Sequence, residues 1–225
     1  MAMSELDFMS VLHKSTQRDY LGRVNDPEFP KNKSAELAKK WDYDYWDGDR
    51  RINYGGYRYI EGRWEKVARV MLEHYNLPES ARILDIGCGK GFLLYDFKKC
   101  LPSLDIYGID ISSYAIENSK EEVKQSLKLG NAIDLPWPDN YFDLVISINT
   151  FHNLYSYELD KALREMERVG KDNKYICVES YRNEIEKANL LYWQVTCEAF
   201  NTPSEWKWWF NHTEYNGDYS FIYFE

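Results

Sequence analysis

One short stretch limits the fold of this chain more than any other: Ile83-Leu84-Asp85-Ile86 runs straight into Gly87-Cys88-Gly89-Lys90-Gly91. A brief apolar run bounded by turn residues reads as a buried strand. The residues that follow, 91–100, read as a helix that stops before Pro102. Glycine at such a turn permits a sharp reversal and lets a ligand approach the backbone where a Cβ would intrude. Strand, glycine turn and helix make the first half of a βαβ unit, and open α/β sheets bind ligands at the carboxyl ends of their strands.

The alternation continues downstream. Residues 104–109, 127–129, 141–148 and 174–179 read as strands, and 112–126 and 159–169 as helices, a rhythm that predicts a parallel sheet. Upstream, residues 61–75 have helical spacing and Pro78 ends that helix; Ser34 is placed to cap a short helix out to Trp41, and Pro27 and Pro30 discourage regular structure before it. After the sheet, 184–199 reads as a helix. Thr202-Pro203-Ser204-Glu205 is a capping box opening another, and 218–224 is a last strand. A length of 225 residues suits one domain: an N-terminal extension or cap (1–60), a cofactor-binding core (61–181) and C-terminal helices with a strand (182–225).

Composition narrows the function. With 28 Lys and Arg against 37 Asp and Glu, the net charge is −9, which argues against a nucleic-acid partner because phosphate contacts need a basic face. No apolar run approaches the ~20 residues of a membrane helix. The opening MAMSELDFMS lacks a leader pattern, with Met3 as the expected natural start. Cys88, Cys100, Cys177 and Cys197 form no CxxC pair and have no His at zinc spacing; reduced thiols in a cytoplasmic protein without a metal are expected. His13, His74 and His212 have no motif around them and are expected on the surface or on helices. The unusual feature is 16% aromatic residues, eight of them between Trp41 and Trp64.

Asp110 ends the second strand, 110 − 91 = 19 positions past the glycines, where an acid accepts both hydroxyls of a ribose. Asp85, inside the first strand, suits a ligand with a positive amino group. Phe92 occupies the position of the third glycine in a dinucleotide-binding loop, which weakens an NAD-dependent oxidoreductase reading. Cys88 has no base beside it and reads as a small residue that fits the turn. Asp143, at the entry of the fourth strand, reads as a structural partner.

Taken in order, ILDIGCGKG, YGIDIS and GNAIDLPWPDNYFDLVIS resemble the class I S-adenosylmethionine-dependent methyltransferases, in particular the small-molecule group typified by the ubiquinone/menaquinone methyltransferases, over about residues 60–180. The resemblance implies an α/β, Rossmann-like, mostly parallel sheet flanked by helices, with an aromatic-rich N-terminal cap, binding S-adenosylmethionine. Gly87, Cys88, Gly89 and Gly91 would face the cofactor's amino-acid part and ribose, Asp110 with Ile111 its ribose, Asn131-Ala132-Ile133 its adenine, and Ile148-Asn149 its methionyl part. The family often has Asp where Asn131 stands; the Asn carbonyl accepts the same bond.

Methyl transfer from a sulfonium is an in-line displacement, so alignment comes first and a general base is optional. His152 is the candidate base, although a structural or pocket-lining role is preferred for it; Glu179 and Tyr181 follow the fifth strand, and Glu179 is expected to bond locally or to touch substrate. Tyr54, Tyr57 and Tyr59 are expected to line a cap, with Arg63 reaching the cofactor carboxylate; the alternative is a hydrophobic skin over the sheet edge. Trp206, Trp208, Trp209 and Phe210 predict a helix buried on more than one side. Only one strand follows the fifth where the family places an antiparallel pair, so either the sheet has six strands or a partner chain covers its edge, and a homodimer is favoured. The expected function is methyl transfer to a small molecule, a sugar or another polar metabolite. The rivals are a protein methyltransferase and a non-catalytic S-adenosylmethionine-binding subunit.

Overall fold

Apolar residues on both sides of a strand require cover on both faces, and this dictates the layers. In β1 (Arg82–Ile86), Leu84 and Ile86 face one way and Ile83 the other, and all three are buried. β2 (Asp105–Asp110), β3 (Leu127–Leu129), β4 (Phe142–Ile148), β5 (Gly170–Glu179) and β6 (Asp218–Ile222) join it in a sheet of order β3-β2-β1-β4-β5-β6. Every pairing is parallel. The computed structural model describes residues 3–12 and 16–225; the expectations for Met1, Ala2 and His13 lie outside them.

Short helices α1 (Tyr20–Val24), α2 (Lys31–Ala38) and α3 (Tyr43–Trp46) precede the sheet, and α4 (Glu65–Tyr75) leads into it. Between the strands run α5 (Phe92–Cys100), α6 (Ser113–Glu117), α7 (Ser156–Val169), α8 (Glu184–Trp193) and α9 (Pro203–His212). On α7, Leu159, Ala162, Leu163, Met166 and Val169 recur at helical spacing and pack with α9 on the Leu84 face. Val67, Ala68 and Met71 of α4 and Leu93, Leu94 and Phe97 of α5 cover the Ile83 face. Each of the larger side chains among these, the Val, Leu, Met and Phe, is worth ~1.5–3 kcal/mol when withdrawn from water. Asp143 is structural, as expected: it accepts from the Arg82 amide (2.8 Å) and pairs with Lys171 (2.7 Å).

Several boundaries differ from the sequence reading. The helix expected over 112–126 stops at Glu117, because Asn118 and Ser119 turn their side chains back onto the carbonyls of Tyr114 and Ile116 and compete with the helix. The helix expected over 184–199 ends at Trp193, with Gln194 extended. Pro30 starts α2 instead of discouraging it, and Ser34 lies inside that helix. In α9 the Thr202 capping box forms, yet Trp206 and Phe210 alone are fully buried while Trp208 is exposed and stacks on His212. The helix therefore buries one side, since residues four apart share a face.

The last strand runs parallel to β5, and its outer edge is not bare. The Leu6 amide donates to Tyr219 O (2.8 Å), Tyr219 N to Ser4 O (3.0 Å) and Glu225 N to Thr16 O (3.0 Å). The chain's own N-terminal segment thus occupies the edge for which a second copy was expected.

Candidate functional site

The carboxyl ends of β1, β2 and β4 open into one cavity of about 550 Å³. Ligand sites commonly have this size and position. Its floor is the glycine turn. Gly87 has φ +80°, and a Cβ there would collide with the Thr150 side chain; Gly89 has φ +53°, and a Cβ would strike the Trp46 ring. Both positions therefore need glycine for backbone conformation and for space.

Two acids stand at this floor. Asp110 is buried at the end of β2, its Oδ2 accepting from the Gly89 amide and its Oδ1 from the Ser112 amide, each at 2.8 Å. Asp110 lines the cavity, and a carboxylate has acceptor capacity beyond the bonds to these amides. Burial raises the Asp110 pKa, against the pull of those amides. Asp85 is buried too, and among the described residues it has no hydrogen-bond or ion-pair partner; its pKa is pushed up to about 8, first by burial and then by the Asp110 charge. An ammonium group is what such a carboxyl lacks. Burial likewise holds the Cys88 thiol well above its ordinary value, which removes it as a nucleophile.

The other expected residues sort cleanly. Tyr57, Arg63, Ile111, Asn131, Ala132, Ile148 and Asn149 line the cavity with Asp85, Gly87, Cys88, Gly89 and Asp110. Gly91, Ile133 and His152 do not. Gly91 caps α5 and faces Val123 and Leu127, and Ile133 packs on the core below Asn131, whose Oδ1 already accepts from the Ile133 amide (3.2 Å). His152 is 2% exposed, its Nδ1 accepting from the Glu179 amide (3.3 Å) and its Nε2 lying 3.5 Å from Glu179 Oε2. Burial lowers its pKa to about 3 and raises that of Glu179 to about 8. Neither residue reaches the cavity, and neither does Tyr181, so the candidate base belongs to the wall behind the site.

The cap is built from the aromatic segment. The Trp46 indole donates to Ser112 Oγ (2.9 Å), stacks near-parallel to Tyr54 and lies over Gly89. Tyr57 stacks on Phe92 at 5.1 Å. Tyr59 does not line the cavity; its hydroxyl donates to buried Asp96 (2.6 Å). Sequence reasoning missed three groups: Lys90 paired with Asp47, the Thr150 side chain against Gly87, and the Lys39–Glu198 ion pair on the cavity wall. Only the clustering of aromatics around Asp47 hinted at the first.

An all-parallel sheet of this order, with a glycine turn after β1, an acid at the end of β2 and a roofed cavity above them, is a Rossmann-like nucleotide-binding fold, lacking among the described residues the antiparallel pair expected after the fifth strand. Residues 77–214 match the model of the methyltransferase domain family, and the chain belongs to that family. It is 34% identical over 145 residues to the demethylmenaquinone methyltransferase of Symbiobacterium thermophilum, covering 59% of this chain and 57% of that one. It is 32% identical over 149 residues to the ajmaline N-methyltransferase of Rauvolfia serpentina, covering 62% and 50%. The chain thus spans about half the length of these curated relatives. Among solved structures, the YcgJ protein of Bacillus subtilis shares the fold, with a TM-score of 0.54 at 22% identity over 65% of this chain and 66% of that one. S-adenosylmethionine is the methyl donor that the family implies, and the unpartnered Asp85 carboxyl and the lone pairs of Asp110 fit its ammonium and ribose. Among the described residues no helix is long and apolar enough to cross a membrane.

Proposed function

We propose that this chain transfers the methyl group of S-adenosylmethionine to a small polar acceptor, a sugar or another metabolite bearing hydroxyl or amino groups. The observation that carries the reading is the roof: the cap closes over the glycine turn, so that cofactor and acceptor share one cavity of about 550 Å³, which favours a small acceptor, whereas a macromolecule would have to lift the cap. When bound, the cofactor supplies an activated methyl group on a sulfonium. Asp110 holds its ribose, Asp85 its ammonium and Arg63, which makes no ion pair with described residues, its carboxylate. Ile111, Asn131 and Ala132 border its adenine, and Gly87, Cys88, Gly89, Ile148 and Asn149 its remaining length.

On the β4 side the wall carries Asn153, Tyr155 and Glu158, joined by Thr196 and Glu198 from a loop whose Glu198 and Ala199 amides donate to His152 O. These groups hydrogen-bond a polar acceptor and orient it; orientation alone supplies ~7–11 kcal/mol toward such a barrier. Tyr57 and Tyr54 present aromatic surface to a sulfonium, worth ~0.5–2 kcal/mol per contact. His152 holds the Glu179 turn, and no proton need pass through it.

The test is incubation with methyl-labelled S-adenosylmethionine and a metabolite extract, followed by mass spectrometry of the small-molecule, protein and RNA fractions. Label in a small polar compound is expected. Label confined to protein or RNA overturns the acceptor class, and failure of S-adenosylhomocysteine to bind by calorimetry overturns the cofactor site.

A further inference from the structure

We propose that Lys90 and Asp47 form a latch that holds the aromatic cap shut over the cavity and so governs capture of the cofactor; this rests on the cofactor reading above. Lys90 sits in the glycine turn between Gly89 and Gly91, yet its side chain is only 6% exposed and is not part of the cavity lining. A lysine is seldom so deeply covered unless it is paired. Its ammonium lies 2.6 Å from Asp47 Oδ2 and donates to Tyr57 O at 3.0 Å. Both partners belong to the cap. The ammonium is therefore satisfied by protein only when the cap is down, and by water when it is up.

Asp47 gathers the rest. It follows α3 directly, and its carboxylate accepts from Lys90, from the Tyr114 hydroxyl (2.8 Å) and from the Tyr57 amide (3.0 Å). One carboxylate thus ties together α3, the Tyr57 segment, the glycine turn and α6. These are the segments around the cofactor: Trp46, the residue before Asp47, lies over Gly89, and Tyr57 stacks on Phe92, the first residue of α5. The arrangement also turns the Lys90 charge away from a cationic cofactor and neutralises it. Lys90 and Asp47 are positioning residues, since neither touches the cavity. A ligand that binds the closed form alone has its apparent affinity reduced by the fraction of molecules that are closed. Breaking the pair lowers that fraction.

The full chain tests this with two readouts, S-adenosylhomocysteine calorimetry and trypsin cleavage of the cap, which offers Arg50, Arg51, Arg58 and Arg63. For Lys90→Met the expected results are at least tenfold weaker binding, at least tenfold faster cleavage within 41–64 without ligand, and restored protection at saturating ligand. Lys90→Arg, which keeps the charge, is expected to bind within threefold of wild type. Asp47→Asn serves if Lys90→Met does not fold, and is expected to behave as Lys90→Met. Binding within twofold of wild type together with unchanged cleavage in the charge-removing variants overturns the latch. A wild-type chain that binds no S-adenosylhomocysteine overturns the cofactor reading instead, and the ligand-free cleavage rates still decide whether the pair holds the cap.

Discussion

Burial and the neighbouring Asp110 charge both oppose ionisation of Asp85, and an arriving ammonium group reverses the balance. With a pKa of about 8 in the ligand-free site, Asp85 is mostly protonated at pH 7, whereas beside an ammonium it is ionised. Binding of S-adenosylhomocysteine therefore releases a proton. The bound form holds fewer protons than the free one, so affinity rises with pH up to about 8 and levels off above it. Calorimetry at pH 7 in two buffers of different ionisation enthalpy is expected to give different apparent enthalpies. In Asp85→Asn that difference is expected to vanish and affinity to fall about tenfold, ~1.4 kcal/mol. Equal enthalpies in the wild type would place the ammonium elsewhere.

Among the elements, α9 shows how local rules act where tertiary structure agrees with them. The Glu205 amide donates to Thr202 Oγ1 (3.3 Å) and the Thr202 amide to Glu205 Oε2 (2.7 Å), while the helix carries Trp206, whose indole donates to Glu179 O (3.0 Å). Thr202→Ala is expected to cost about 1 kcal/mol in urea unfolding with S-adenosylhomocysteine affinity unchanged. That box was legible in the sequence for the same reason as the strand–turn–helix at Gly87 and the acid at Asp110: each is written in a few neighbouring residues. What was illegible depends on long-range meetings. Lys90 and Asp47 lie 43 residues apart, and nothing local to either says that one will bury the other. The parallel sense of β6 is set by the crossover through α8 and α9 and not by the strand's own residues. The identity of His152 suggested a base because of its ordinary pKa, but burial beneath the site decides its chemistry. Arg63 and Tyr57 were legible as cap residues, whereas Tyr59 went instead to Asp96.

Over the whole molecule, buried titratable groups make stability depend on pH. The Glu179 pKa of about 8 lies far above its ordinary value, so the folded form binds the proton more tightly than the unfolded chain does. That contribution is complete below the ordinary carboxylate range and is lost as pH rises toward 8; ligand-free Asp85 adds to the loss with the same sign. His152, lowered to about 3, works in the opposite direction below its ordinary value near 6.5. Between pH 6.5 and 8 the ligand-free protein is therefore expected to lose stability in urea titrations, and Glu179→Gln to show a shallower loss. An equal slope in that variant would mean that Glu179 is ionised in the fold. The bridges that Ser4–Leu6 and Thr16 make to the last strand and its end have a different consequence, one of timing. Pairing Glu5 with Tyr219 and Thr16 with Phe224 joins segments far apart in the sequence, and contacts of that separation are slow to form. A nascent chain must carry its opening segment unpaired until the sixth strand has been made. Phe8 and Met9, which end up buried against the sheet, are meanwhile left for chaperones to shield or for neighbouring chains to seize.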